Sequence, residues 1–141
     1  MTIVKSGVIL FDPGTDRILL VRGKKFMNEY TGYIFPDGMF SFPKGYLEED
    51  ETFSHCALRE LKEETGIKLT ITRNDPSVVL SDGVYFIKVI DPKTIKPRIQ
   101  DRREITKITW KFVGDLRDSF TCNRAVREFV KKYESFKKLV F

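Results

Sequence analysis

Histidine and cysteine are scarce in this chain. Its two cysteines, Cys56 and Cys122, belong to no Cys-x-x-Cys pair, so the sequence predicts neither a zinc site nor the disulfide framework of a small secreted protein. Its one histidine, His55, is adjacent to Cys56, and adjacent helical residues do not face each other. A hydrolase with a histidine base would have to use that single residue. We therefore expect carboxylates to carry the chemistry.

Long apolar runs are also missing. No run approaches the roughly 18 residues that a membrane helix needs. The first eleven residues carry Lys5 and Gly7 inside a short strand-like run, which is not the pattern of a signal peptide. A length of 141 residues is close to the commonest domain size, so we expect one domain over residues 1–141. We expect a soluble protein inside the cell, in the cytoplasm.

The charge balance has an excess of basic residues. The formal net charge is +5 and the sequence pI is about 9.2. This balance favours anionic partners such as nucleotides, RNA or other polyphosphates, although many basic proteins bind none of them. The sequence indicates no particular protein partner.

The order of apolar patterns predicts an α/β protein. A turn sequence at residues 12–16 separates two strand-like runs, and residues 22–40 lack steady periodicity, which predicts a long loop. Helix-favouring residues fill Glu51–Thr65, and Gly66 follows as a stop signal. The predicted strands are Ile3–Phe11, Arg17–Val21, Ile67–Thr72, Val78–Leu80, Val84–Ile90 and Ile108–Val113, and a closing helix is predicted over Cys122–Lys137. This order indicates a mixed sheet with helices packed on it.

Three acidic residues share one side of the first predicted helix. Glu60, Glu63 and Glu64 stand at positions i, i+3 and i+4. Like charges at that spacing cost a few tenths of a kcal/mol per pair, and a multivalent cation would reverse the penalty. Hard cations such as Mg²⁺ take oxygen ligands of this kind. The alternative is a solvated acidic helix face. Just before this helix, a turn at Lys44-Gly45 could bring an ammonium and a carbonyl to the same cleft.

The spacing around these glutamates is specific. Residues 45–67 fill every position of G-x5-E-x7-R-E-U-x-E-E-x-G-U, in which U is a bulky aliphatic residue. That pattern is the Nudix box, and the chain resembles the Nudix hydrolases. The resemblance implies an α/β/α sandwich around a mixed sheet, and hydrolysis of a diphosphate linkage with Mg²⁺ or Mn²⁺. The residues that it implies as metal ligands are Glu60, Glu63, Glu64 and the carbonyl of Gly45, and the structural pair would be Glu51 and Arg59.

The general base of such an enzyme commonly lies outside the box. Glu104, in the sequence Asp101-Arg102-Arg103-Glu104-Ile105, is our candidate for the base and for a further metal ligand. The alternative is a surface carboxylate paired with Arg102 or Arg103. We predict that Glu63, Glu64, Glu104 and Lys44 carry the catalysis.

Three segments resemble one subgroup in particular. Phe40–Gly45, Cys56–Glu60 and Glu104–Trp110 look like the catalytic domain of mRNA-decapping Nudix hydrolases. This resemblance implies removal of the 5′ cap from RNA, with release of methylated GDP. It also implies that Glu104 is the base or a metal ligand and that Lys44 lies near phosphate. Cellular members carry a helical regulatory domain before the Nudix domain, whereas this chain begins almost directly with its first strand; a compact viral enzyme, working in the host cytoplasm, would fit that departure. The alternatives are hydrolysis of dinucleoside or diphosphoinositol polyphosphates and, from another class, a catalytically idle RNA- or nucleotide-binding module.

Basic and aromatic residues outside the box are the candidates for substrate binding. Aromatic residues of the long loop could stack a purine, although such residues more often pin a loop to the core. Basic residues before Glu104 and in the C-terminal region could contact an RNA backbone, or could simply form a solvated face. The predicted substrate-binding residues are Lys24, Phe26, Tyr30, Tyr33, Arg98, Arg102 and Arg103.

Overall fold

The first two predicted strands form a hairpin. The computed structural model describes residues 4–23, 26–27, 30–32, 34–35, 38–100, 102–117 and 120–140. In it β1 spans Lys5–Asp12 and β2 spans Arg17–Gly23, and their ends pair antiparallel. In the connecting turn the Asp12 carboxylate accepts hydrogen bonds from the Gly14 N–H and the Thr15 hydroxyl, at 3.1 and 2.6 Å. The aspartate side chain therefore stabilises the turn through hydrogen bonds to the two turn residues that follow Pro13.

One mixed sheet dominates the described residues. The remaining strands are β3 (Phe26–Met27), β4 (Ile34–Phe35), β5 (Phe40–Ser41), β6 (Lys44–Tyr46), β7 (Ser77–Leu80), β8 (Gly83–Val89) and β9 (Ile105–Phe112). Seven of the nine strands in the described residues, all but β3 and β4, form the sheet. Its order is β5-β2-β1-β8-β7, with β6 also paired to β1 and β9 to β2. The β1–β8 pair is parallel and the others are antiparallel.

Helices cover both faces of this sheet. Their bounds are α1 (Phe53–Thr65), α2 (Arg124–Lys131) and α3 (Tyr133–Lys138). Because side chains alternate along a strand, Val8 and Leu10 of β1 pack with α1, whereas Ile9 and Phe11 pack with α2. The sandwich of helix, sheet and helix predicted by the resemblance is confirmed. No helix among the described residues is long and apolar enough to span a bilayer.

Two predicted elements differ from the structure. Residues 67–72 form no strand, so that prediction is wrong: Ile67, Leu69 and Ile71 alternate toward the core under α1 but the segment has no strand partner. The closing helix is broken in two at Lys132, whose φ of −106° and ψ of 20° depart from helical values. Its apolar residues still reach the core on both sides of the break.

The predicted long loop is only partly irregular. Within residues 22–40, β3 and β4 pair antiparallel as a separate two-stranded sheet, and β5 begins at Phe40. Strands of two residues are too short to show a period in the sequence, because an alternating pattern needs about four residues to be visible.

Helix α1 is held at both ends by short-range contacts. The Thr52 side chain caps its first turn by accepting a hydrogen bond from the His55 N–H at 3.1 Å. Gly66 ends it with a φ of 74°, a left-handed conformation that glycine adopts without strain. The Ser6 hydroxyl of β1 donates to the Phe53 carbonyl at 2.8 Å. These contacts place the acidic side of α1 beside β6.

Candidate active site

Strand β6 and helix α1 approach each other closely at Gly45. A Cβ atom placed on Gly45 would collide with the carboxyl group of Glu60. On the same strand, the backbone N–H of Lys44 donates to Glu64 Oε2 at 2.8 Å. The box glycine therefore lets the acidic side of the helix lie against the strand, and any side chain at this position would push Glu60 away.

The acidic residues of α1 and Glu104 meet at two adjoining cavities. The first has a volume of about 250 Å³ and is lined by Glu60, Glu63, Glu64, Gln100, Glu104 and Ile105. The second has a volume of about 480 Å³ and is lined by Lys5, Lys44, Gly45, Tyr46, Leu47, Glu48, Arg59, Glu60, Glu64 and Glu104. Glu60, Glu64 and Glu104 line both. The sequence-predicted acidic residues thus lie together, although Glu104 is far from Glu64 in the sequence.

The two glutamates nearest β6 repel each other's charge. Burial, followed by the negative charge of Glu60, raises the pKa of Glu64 to about 8, and Glu104 adds to the rise. Burial also raises the pKa of Glu60 above its ordinary value, although Arg59 opposes this. Burial and neighbouring negative charge thus favour the protonated form of Glu64.

A second acidic residue, Glu51, has the opposite environment. Its carboxylate accepts two hydrogen bonds from Arg59, from Nε at 2.7 Å and from Nη2 at 2.8 Å, and its side chain is only 3% exposed. The Glu48 N–H donates to it at 3.0 Å, and His55 Nδ1 lies 2.6 Å away. The Arg59 guanidinium holds the pKa of Glu51 well below its usual range, and Glu51 raises the pKa of Arg59.

Arg59 connects this pair to the cavity. Its Nη1 donates to Glu60 at 2.9 Å and to Glu63 at 3.3 Å, and its Nη2 donates to the Tyr46 carbonyl at 3.0 Å. One guanidinium therefore contacts the loop before the helix, strand β6 and the acidic side of α1. The predicted pair of Glu51 and Arg59 is present as a bidentate contact.

Neither His55 nor Cys56 is arranged as a nucleophile or its base. The His55 side chain is 70% exposed and contacts Glu51. Cys56 is fully buried, and burial raises the pKa of its thiol to about 11, which disfavours the reactive thiolate. Its Sγ donates to the Gly45 carbonyl at 3.5 Å.

The donor set suits a hard divalent cation. Carboxylate oxygens are the ligands that Mg²⁺ and Mn²⁺ prefer, and the raised pKa of Glu64 marks a carboxylate whose charge needs compensation. Among the described residues, however, no three acidic side chains are arranged to hold an ion in the present conformation. Glu60 and Glu63 instead contact Arg59.

The predicted substrate-binding residues whose side chains the structure describes do not line the acidic cavities. Lys24 and Tyr33 lie outside the described residues, as does the side chain of Phe26. Tyr30 is 98% exposed and lines neither acidic cavity. Arg98, Arg102 and Arg103 are exposed on the segment that leads to Glu104, and none of them lines these cavities.

Six of the lining residues were not among the predicted site residues: Lys5, Tyr46, Leu47, Glu48, Gln100 and Ile105. Lys5 and Tyr46 reach the cavity because β1 and β6 pair with Lys5 opposite Tyr46. Gln100 reaches it because its segment passes the end of α1, where it contacts the space beside Gly66. For Tyr46, the sequence offers one indication of a place at the site, its position directly after the box glycine.

Comparisons with known proteins show which family and which fold this chain shares. A family model described as the NUDIX domain matches residues 1–132. The m7GpppN-mRNA hydrolase dcap-2 of Caenorhabditis elegans is 31% identical over 121 residues, which are 82% of this chain and 14% of that protein. The mRNA decapping complex subunit 2 of Schizosaccharomyces pombe is 28% identical over 122 residues, 78% of this chain and 14% of that protein. The chain thus spans about one seventh of the length of these relatives.

Solved structures share the fold over nearly the whole chain. An Ap4A hydrolase of C. elegans, in a binary complex, has a TM-score of 0.66 at 16% identity and covers 96% of this chain and 97% of its own. The MutT protein of Methanosarcina mazei Go1 has a TM-score of 0.63 at 17% identity, covering 96% and 95%. These likenesses concern the fold alone. Since the family model matches residues 1–132, including the whole acidic box, the chain belongs to the Nudix hydrolase family.

Proposed function

We propose that this protein hydrolyses a pyrophosphate linkage in the 5′ cap of mRNA, with Mg²⁺ or Mn²⁺, and releases methylated GDP. The observation that carries the proposal is the meeting of Glu60, Glu64 and Glu104 at one cavity together with Lys44. A site for a nucleoside diphosphate joined to another group requires both features, since acidic oxygens bind the cation and an ammonium contacts phosphate.

The residues that would hold the cation are Glu60, Glu63, Glu64 and Glu104, with the carbonyl of Gly45 as a further ligand. When bound, a divalent cation neutralises diphosphate oxygens and lowers the pKa of an attacking water. Ligation requires Glu60 to exchange its contact with Arg59 for one with the ion, and Glu64 to lose its proton. A bound cation would offset the burial and the like charge that raise the pKa of these two groups.

The other residues of the cavity position the substrate and move a proton. Lys44 presents its ammonium beside the carboxylates and binds a phosphate oxygen of the cap. Glu104 ends the turn before β9 and is exposed, so its carboxylate oxygen can accept the proton of the attacking water. Arg59 keeps β6 and α1 in register through the Tyr46 carbonyl and Glu51.

The choice of capped RNA rests on two supports. The decapping enzymes of worm and fission yeast are relatives at 31% and 28% identity over most of this chain. The surface is also basic: α2 and its flanks expose Arg117, Arg124, Arg127, Lys131 and Lys132. A row of exposed basic residues provides the phosphate contacts that binding of an RNA backbone requires.

Product analysis tests the proposal. Purified protein with Mg²⁺ or Mn²⁺ is offered cap-labelled RNA, the free cap dinucleotide, diadenosine tetraphosphate and a diphosphoinositol polyphosphate, with the Glu63→Gln variant as the blank. We expect release of methylated GDP from long capped RNA, little from the free dinucleotide, and inhibition by long uncapped RNA.

The other outcomes distinguish the alternatives. Turnover of only the small polyphosphates, unaffected by uncapped RNA, would reject capped RNA as the substrate and leave a small-molecule Nudix hydrolase. Turnover of no substrate at any metal concentration would indicate a catalytically idle binding module.

A further inference from the structure

Strand β6 is fixed along both of its edges. On one edge it pairs with β1, with Tyr46 opposite Lys5 and Lys44 opposite Gly7. On the other edge the Lys44 N–H donates to Glu64, and the Tyr46 carbonyl accepts from Arg59 at 3.0 Å. Residues of the acidic cavity themselves therefore hold the backbone of Tyr46 in place.

The side chain of Tyr46 is exposed although its backbone is fixed. The residue is 64% exposed, and among the described residues none forms a hydrogen bond with its hydroxyl. The Nζ atom of Lys5 lies 4.7 Å from the centroid of its ring. An aromatic residue that pins a strand to the core would be buried. The exposure of Tyr46 at the cavity wall therefore needs another explanation.

The neighbours of the ring have the charge that a nucleotide requires. Residues directly opposite each other in paired strands, and residues two apart in one strand, project from the same face. Lys5, Lys44 and Tyr46 consequently share one face of the β1–β6 pair and line the same cavity as Glu64. An aromatic ring with the Lys5 ammonium over it and Lys44 on the same face combines a stacking surface with phosphate contacts.

We propose that Tyr46 is the platform on which the base of the nucleotide substrate stacks, and that Lys5 contacts a phosphate of the same nucleotide. The inference rests on the proposed function in one respect, that the substrate is a nucleotide. Tyr46 would distinguish a nucleotide from pyrophosphate, and a binding measurement without turnover can test this role.

Fluorescence at position 46 tests this directly. The chain has one tryptophan, Trp110, so Tyr46→Trp adds one reporter to a known background. In the Glu63→Gln background, which prevents hydrolysis, the variant is titrated with GDP, 7-methyl-GDP and inorganic pyrophosphate in Mg²⁺. We expect saturable quenching by both nucleotides and none by pyrophosphate. Phe120→Trp is the matched control, since Phe120 is 87% exposed and lines neither cavity; its signal should not respond.

Calorimetry on unlabelled variants gives the second measurement. Tyr46→Ala should raise the Kd of the nucleotides about 5- to 150-fold, the loss of one stacking contact, and leave the Kd of pyrophosphate unchanged. Lys5→Ala should weaken binding of both ligands, and Tyr46→Phe should bind as the wild type does. Circular dichroism checks that each variant is folded.

Two results would overturn the inference: nucleotide binding that leaves the fluorescence of the Tyr46→Trp variant unquenched, or an equal loss of nucleotide and pyrophosphate affinity in Tyr46→Ala. Absence of nucleotide binding by the parent protein would also overturn it. If capped RNA is not hydrolysed but nucleotides quench the Tyr46→Trp variant, the stacking role stands and the choice of capped RNA is rejected, so the two failures are distinguishable.

Discussion

Glu51, just before helix α1, and the pair Glu60 and Glu64, on the helix, have opposite electrostatic environments. Glu51 lies before the helix, accepts a bidentate contact from Arg59, and has a pKa well below its usual range. Glu60 and Glu64 lie on the helix beside Glu104, and both have raised pKa values. One carboxylate is neutralised by the protein itself, whereas the others need a charge from outside.

The difference separates a structural role from a ligand-binding role. A carboxylate with satisfied partners stabilises the fold, and removing one partner of a buried pair is strongly destabilising. Carboxylates that repel each other reduce stability unless a cation joins them. Sites of this second kind are where functional groups are found, because strongly perturbed pKa values cluster at functional sites. Opposite effects on stability and activity are therefore expected when the two sets are mutated.

The largest expected effect is on activity, from Glu64→Gln. Loss of a carboxylate beside Glu60 and Lys44 should reduce kcat about 10³-fold, because cation stabilisation of the transition state is worth several kcal/mol. The same change should leave the thermal midpoint at mildly alkaline pH unchanged or higher, since it removes a repelled carboxyl. Steady-state kinetics and thermal unfolding measure the two quantities.

The matched control for this variant is Glu49→Gln. Glu49 is an exposed carboxylate outside the cavity lining, so its loss should leave full activity. If the turnover of Glu64→Gln stays within about threefold of the wild type, a change of less than about 1 kcal/mol in the activation free energy, Glu64 has no part in the catalytic machinery.

Glu51→Gln should instead affect stability. It breaks the pair with Arg59, and we expect a loss of about 3 kcal/mol in the free energy of unfolding. For a protein of this size that corresponds to a fall of roughly 10 °C in the thermal midpoint. Differential scanning calorimetry measures it. His55→Gln is the control for the same cluster: its side chain is 70% exposed, so we expect a loss of about 0.5 kcal/mol or less. Equal losses in the two variants would show that Arg59 is not the main partner of Glu51.

The box residues and Glu104 could be predicted from the sequence for different physical reasons. Glu51, Arg59 and Glu64 lie within one short stretch of the chain, and helical geometry carries their spacing into space. The prediction that box residues gather at a cleft therefore needed only local structure. Glu104 was predicted as the base expected outside the box, with support from a segment that resembles a decapping subgroup, and it lines the cavity.

Long-range pairing limited the remaining predictions. Lys5 and Tyr46 meet through the register of β1 with β6, which a single sequence does not reveal. Residues 67–72 alternate as a strand does but pack on the core without a pairing partner, so the pattern predicted the wrong element. In both cases the apolar and polar periodicity indicates which side of a segment is buried. It does not indicate which other segment pairs with it.

The smallest expected effect, and the sharpest comparison, is the dependence of stability on pH. The folded-state pKa of Glu51 lies below its ordinary value of 4.5, so its stabilising contribution is present above about pH 4.5 and is lost as the pH falls through the folded pKa. The folded-state pKa of Glu64, about 8, lies above its ordinary value of 4.5. Between pH 4.5 and about 8 the Glu64 carboxyl therefore binds fewer protons in the unfolded state than in the folded state. Its contribution makes the folded state less stable as the pH rises through that range.

Urea unfolding of the wild type, Glu51→Gln and Glu64→Gln from acid to mildly alkaline pH measures both effects. The free energy of unfolding of the wild type should exceed that of Glu51→Gln by less as the pH falls below about 4.5. The free energy of unfolding of Glu64→Gln should rise relative to the wild type up to about pH 8, by on the order of 1–3 kcal/mol after solvent screening. Saturating Mg²⁺ should reduce the second difference, because the cation replaces the proton on Glu64 in the wild type. Parallel curves for all three proteins would contradict the opposite environments of Glu51 and Glu64. A second difference that persists in Mg²⁺ would contradict only the assignment of Glu64 as a metal ligand.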